Sequence, residues 1–126
     1  MPSPKKVPLS VLIVDDDASV RNLTSLMLQR AGYKVFTASN GLEAIETLVA
    51  NPDLHGVIMD LLMPVMSGEE AFQKMKDLRP SVRIIIVSGV SDEELYSRFD
   101  RSLPDGILQK PFTLGTLTEV VSCTLN

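Results

Sequence analysis

Two stretches of this chain, Leu9 to Val14 (LSVLIV) and Val82 to Val87 (VRIIIV), are apolar and rich in branched residues almost throughout. A strand with one wet face alternates polar and apolar residues, so such runs belong to strands covered on both faces. A third run begins at Val57 and stays apolar until Asp60, a carboxylate at the point where the strand should leave the core. Burying that charge unpaired would be costly, which places Asp60 at the strand's carboxyl end, open to water and to some cation. Lys34 to Ala38 (KVFTA) and Ile107 to Gln109 read as two further strands.

Helical spacing fills the gaps between these runs. Val20, Leu23, Met27 and Ala31 mark one inner face, with Gly32 as its stop. Leu42, Ile45, Leu48 and Val49 mark a second after the Asn40-Gly41 turn, and Asn51-Pro52 ends it. Ala71, Phe72, Met75 and Leu78 mark a third, closed by Arg79-Pro80. Asp92 is expected to cap a short fourth helix with Leu95 and Phe99 inward, and Leu114, Leu117 and Val121 define the last. Parallel strands need crossover connections, and right-handed crossovers put helices on both sheet faces. The pattern is that of a doubly wound α/β sandwich, (βα)5, in which ligands sit beyond the carboxyl ends of the strands.

The 126 residues make one domain, expected over 9–126, with 1–8 (MPSPKKVP) as a flexible tail. A net charge of −4 and few clustered cations argue against a standing nucleic-acid surface. No stretch approaches membrane length and the opening residues lack a signal core, so a cytoplasmic protein without membrane contact is expected. The single cysteine, Cys123, excludes an internal disulfide and reads as a small apolar filler in the last helix.

The strand ends carry the chemistry. Strand one runs into Asp15 and Asp16, strand three ends in Asp60, strand four in Ser88 and strand five in Lys110. Taken singly, each has a plain structural reading: acids before a helix cap it, a serine opens a turn, a lysine before proline is solvated. Together they fall on one edge of the sheet. Three carboxylates brought close repel, and a divalent cation removes the difficulty. Oxygen ligands without His or Cys indicate a hard ion, for which Mg²⁺ is the usual choice. With a metal on one side and the Lys110 ammonium on the other, Asp60 could attack a phosphoryl group while the Ser88 hydroxyl donates to one of its oxygens.

The pieces VLIVDDDASVR, NGLEAIETL, VIMDLLMPVMSGEE, IIIVSG and LQKPF, in this order and spacing, resemble the receiver domain of two-component response regulators over essentially the whole chain. The resemblance implies a flavodoxin-like fold with a five-stranded parallel sheet in the order 2-1-3-4-5. It implies Asp60 as phosphoacceptor, Asp15, Asp16, Asp60 and the Leu62 backbone carbonyl as ligands of Mg²⁺, Ser88 as the switch hydroxyl, and Lys110 as the phosphate-binding lysine. It also implies a cis Lys110-Pro111 bond. The partners would be a histidine kinase or histidine phosphotransfer protein as donor, and a downstream protein reading the face of the fourth helix, fifth strand and fifth helix, where Tyr96 and Gln109 are expected. A phosphorylation-dependent homodimer is left open. Such a domain is not an enzyme in the ordinary sense, although it catalyses its own phosphotransfer and slow dephosphorylation. The segment from Ser88 to Phe112 resembles receivers of hybrid sensor kinases more than those joined to DNA-binding domains.

Some positions depart from the commonest family pattern. Ile107 stands where a switch Tyr or Phe is usual, Gly89 where Ala is common, and Leu62 and Val90 where polar residues often orient an attacking water. A long-lived phosphoryl group is expected from the last pair. His55, the sole histidine, is expected at the surface and not as a phosphodonor. Two other functions compete. A small Mg²⁺-dependent phosphohydrolase would need a second acid where Leu62 stands, and a receiver-like interaction module that has abandoned phosphorylation would have no need of the full polar set.

Overall fold

The computed structural model of the protein describes residues 8–99 and 102–125. Residues 1–7, most of the expected tail, lie outside the described residues. Strands and helices alternate as β1 (Ser10–Val14), α1 (Ala18–Arg30), β2 (Lys34–Ala38), α2 (Gly41–Ala50), β3 (Leu54–Asp60), α3 (Gly68–Leu78), β4 (Arg83–Ser88), α4 (Asp92–Ser97), β5 (Gly106–Gln109) and α5 (Leu114–Leu125). All neighbouring strands pair parallel, and the five-stranded sheet has the order β2-β1-β3-β4-β5. The fold is the flavodoxin-like sandwich expected from the sequence. Among the described residues no helix is long and apolar enough to cross a membrane.

Alternation along the buried strands divides the core between two faces, since successive side chains point to opposite sides of a sheet. Leu12, Val14, Val57, Met59, Ile84 and Ile86 pack with α2, α3 and α4. Val11, Ile13, Ile58, Ile85 and Val87 pack with Leu28 of α1 and with Leu117 and Val121 of α5. Each fully buried aliphatic side chain contributes roughly 1.5–3 kcal/mol, which is why the uninterrupted runs were reliable signals.

The helix faces turn out differently in detail. In α1 the buried residues are Thr24 and Leu28, whereas Leu23 is 55% exposed. In α2 they are Gly41, Ala44 and Leu48, while Leu42 and Val49 lie at the surface. A Cβ on Gly41 would stand 3.0 Å from that of Ala71, so small residues, not the largest apolar ones, let α2 approach α3. Leu78 is exposed because α3 ends there. Ser91, not Asp92, caps α4, its side chain accepting from the Glu94 N–H. Cys123 is exposed and fills no core position.

The ends opposite the acidic edge are tied by side chains. Arg79 donates from Nη2 to the Leu48 carbonyl at 2.7 Å and from Nη1 to those of Asn51 and Leu54, tying the end of α3 to the end of α2 and the start of β3. His55 is exposed, as expected, but occupies a register shift between β1 and β3, where its Nδ1 accepts from the Ser10 N–H.

Gly68 sets the height of the loop beyond Asp60. Its N–H donates to the Leu61 carbonyl at 2.9 Å, and a Cβ there would meet the Asp60 carbonyl and Leu61 backbone at 2.8 Å. Backbone cannot yield as a flexible side chain does. Gly68→Ala should therefore destabilise the protein by about 2–3 kcal/mol, measured as a shift in the urea midpoint at unchanged slope.

Candidate functional site

Four adjacent strand ends converge on the carboxyl edge of the sheet. The acidic run after β1 divides its labour: Asp17 caps α1 by accepting from the Ser19 and Val20 N–H groups. Asp15 and Asp16 instead face Asp60. One carboxylate oxygen from each of Asp15, Asp16 and Asp60 lies within 4.8 Å of the others. Asp15 and Asp60 are buried and Asp16 is exposed, so the cluster has a dry floor and a wet rim.

Each buried oxygen is also a structural acceptor. Asp15 Oδ1 accepts from the Asp17 N–H at 2.9 Å, Asp60 Oδ1 from the Leu62 N–H at 3.3 Å, and Ser88 Oγ from the Val90 N–H at 3.0 Å. The same bond, from a side-chain oxygen to the amide two residues on, thus turns the chain at β1, β3 and β4. Arg21 braces the first turn, donating from Nη1 to the Asp15 carbonyl at 2.7 Å.

Lys110 completes the group. Its Nζ donates to Asp60 Oδ2 at 3.0 Å, and its backbone N–H donates to the Ser88 carbonyl at 2.8 Å. The Lys110-Pro111 bond is cis. Burial opposes the lysine charge, but the hydrogen bond and charge of Asp60, with Asp15 and Asp16 behind it, outweigh this and raise its pKa. Burial raises the pKa of Asp15, and the charges of Asp60 and Asp16 add to the rise. Three carboxylates against one ammonium leave two negative charges. The donor set is all oxygen and lacks His and Cys, so it fits a hard divalent cation.

The profile of the response regulator receiver domain matches residues 11–122. The chain belongs to this family. The receiver is 41% identical over 118 residues to the autoinducer 1 sensor kinase/phosphatase LuxN of Vibrio campbellii, covering 93% of this chain but 14% of LuxN. It is 33% identical over 116 residues to the chemotaxis protein CheY of Halobacterium salinarum, covering 91% of this chain and 95% of that protein. Among solved structures, the Vibrio cholerae chemotaxis protein CheY4 superposes with a TM-score of 0.89 at 30% identity, covering 94% of this receiver and all of that chain.

All five polar residues singled out from the strand ends therefore lie on one edge, and the Asp60–Lys110 pair is direct. Leu62 follows in the loop with its side chain 62% exposed and its N–H on Asp60. Ile107 is partly buried against the core on the α4 side. Other features escaped the sequence. Val20, Leu23 and Met27, read as core, line an apolar groove with Pro111 and Phe112 beside Lys110. Val65 has a positive φ of 72°, bridged by a Met66 N–H to Pro64 carbonyl bond, a conformation that costs a branched residue roughly 1–2 kcal/mol. Gln109 spans to α4 through Asp92.

Because burial and like charges raise the Asp15 pKa, its ionisation costs stability above that pKa, and the cost is relieved as the pH falls through it. Asn at this position keeps an acceptor for Asp17 and removes one repelling charge. Without divalent cations, Asp15→Asn should melt about 3–6 °C above the wild type near neutral pH, with the gap closing on acidification. Calorimetry across that pH range checks both parts.

Proposed function

We propose that this receiver accepts a phosphoryl group on Asp60 from the phosphohistidine of a histidine kinase or histidine phosphotransfer protein, and that the modification switches the α4-β5-α5 face toward a downstream protein. The observation that carries the reading is Asp60 itself: a carboxylate at the open end of a buried strand, flanked by two acids and bonded to Lys110. Its oxygens accept from the Leu62 N–H and the Lys110 ammonium, and its place at the open strand end leaves it able to attack an incoming group.

In the transfer, a carboxylate oxygen of Asp60 forms a bond to phosphorus while the bond from phosphorus to the donor imidazole nitrogen breaks. The imidazole leaves with the electron pair and takes up a proton. Lys110 then turns from the bare carboxylate to the phosphoryl oxygens, and the Ser88 O–H donates a hydrogen bond to another. Ser88 can do so because its observed bond uses the oxygen as acceptor, leaving the O–H free. Asp15, Asp16, Asp60 and the Leu62 carbonyl would hold Mg²⁺, which when bound neutralises charge gathering on the phosphoryl oxygens. The groove of Val20, Leu23, Met27, Pro111 and Phe112 offers the donor an apolar seat next to the reacting atoms.

The kinship with a sensor kinase/phosphatase supports a kinase as partner, and the cytoplasm is where this transfer would take place. Leu62 and Val90 carry no group able to orient an attacking water, so the acyl phosphate should persist for minutes or longer. Incubation with acetyl phosphate and Mg²⁺, followed by intact mass, should add one phosphoryl group to the wild type and none to Asp60→Asn. No gain under conditions that label a known receiver would refute phosphorylation, and loss of the label within seconds would refute the slow hydrolysis.

A further inference from the structure

Gln109 is the last residue of β5 and the neighbour of Lys110. It sits on the same face of the strand as Ile107, two residues earlier, and that face looks toward α4. Its Nε2 donates twice, to the Val90 carbonyl at 3.2 Å and to Asp92 Oδ1 at 2.8 Å. Both partners are acceptors, so the amide must present its NH₂ group, and both amide hydrogens are used. One prong grips the β4–α4 loop and the other grips the first residue of α4.

The loop that Gln109 grips is the one Ser88 holds from the other side. Val90 gives its N–H to Ser88 Oγ and its carbonyl to Gln109. On the β5 side, Lys110 reaches Asp60 through its side chain and Ser88 through its backbone. A group on Asp60 that draws Ser88 and Lys110 inward must therefore displace Val90 or release it, and either movement alters what Gln109 can hold. Ile107 has no polar atom with which to register the same movement.

We propose that Gln109 is the positioning residue that couples the Asp60 site to α4, as a two-pronged amide clamp that holds α4 in its resting place and opens when Asp60 is phosphorylated. The inference rests on the phosphoacceptor reading above. The clamp favours the resting arrangement and the phosphoryl group favours the other, so each opposes the other by the same factor. Removing the clamp should then favour occupancy of the site, which a merely structural contact would not do.

The test compares wild type, Gln109→Ala and Asp92→Asn, the last of which retains an acceptor and serves as the conservative control. Beryllofluoride with Mg²⁺, a non-covalent mimic of the phosphoryl group, should bind Gln109→Ala about fivefold more tightly than wild type, and Asp92→Asn close to wild type. Hydrogen exchange over 92–97 should speed up in the wild type on addition of the mimic. In Gln109→Ala it should already be fast and change little. Equal or weaker binding by Gln109→Ala, or an α4 response as large as that of the wild type, would overturn the clamp. Failure of the wild type to bind the mimic or to be labelled on Asp60 would be a different result: it would remove the phosphoacceptor reading and the clamp with it.

Discussion

Negative charge at the carboxyl edge of the sheet is the constraint on which the rest of this receiver depends. Asp15 and Asp60 are buried side by side, Asp16 stands at the rim, and Lys110 is the cation bonded to the group. A core built only for stability would not place them so, because each ionised acid raises the cost of the next. The fold tolerates the arrangement by giving each buried carboxylate an amide N–H and by reaching Asp60 with Lys110 from just beyond the edge strand β5. What remains is an excess of negative charge at the edge, the setting that a hard divalent cation would neutralise. The stability lost at this edge is balanced by the two aliphatic layers behind it, where the strand runs are fully enclosed.

Those layers were readable from sequence because a strand buried on both faces leaves no choice of orientation. Leu12 and Ile13 point opposite ways, yet both are covered. Helices leave a choice. Which stripe of α1 or α2 meets the sheet depends on how closely the helix can approach, and that is decided by Gly41, Ala44 and Ala71, residues with little hydrophobic signal. Thr24 escaped for the same reason: a hydroxyl in the middle of an apolar face is invisible to a search for large side chains. Leu23 was misplaced inward because an exposed leucine beside a groove has the same periodicity as a buried one.

The site was legible for a topological reason. Parallel strands all end on the same side, so residues at the ends of four separate runs must become neighbours whatever the exact register. No comparable rule reaches Gln109 and Asp92. Their bond depends on β5 pairing with β4 so that Gln109 stands opposite Ser88, and on Ser91 rather than Asp92 capping α4. If Asp92 were the cap, its carboxylate would be occupied by the helix's own amides. Freed by Ser91, it is available to the neighbouring strand.

The repeated turn at the strand ends gives this geometry its mechanical meaning. Asp15, Asp60 and Ser88 each accept an amide two residues on, so the groups that would hold a cation, bond to phosphorus or donate to it are the same groups that shape the loops. A side chain cannot change partners here without changing the course of the backbone beside it. At β1 that movement is resisted by Arg21, and at β3 by the Gly68 contact on Leu61. The β4 turn has neither brace. Its Gly89 is exposed, with open space where a Cβ would stand, and beyond Ser88 the loop is held by the Gln109 amide on the Val90 carbonyl and by Val90 packing on the core. Of the three turns, the one after Ser88 is the one held by the Gln109 amide that also holds Asp92 of α4, and it leads directly into that helix. A chemical event shared by all three strand ends would reach α4 through this one.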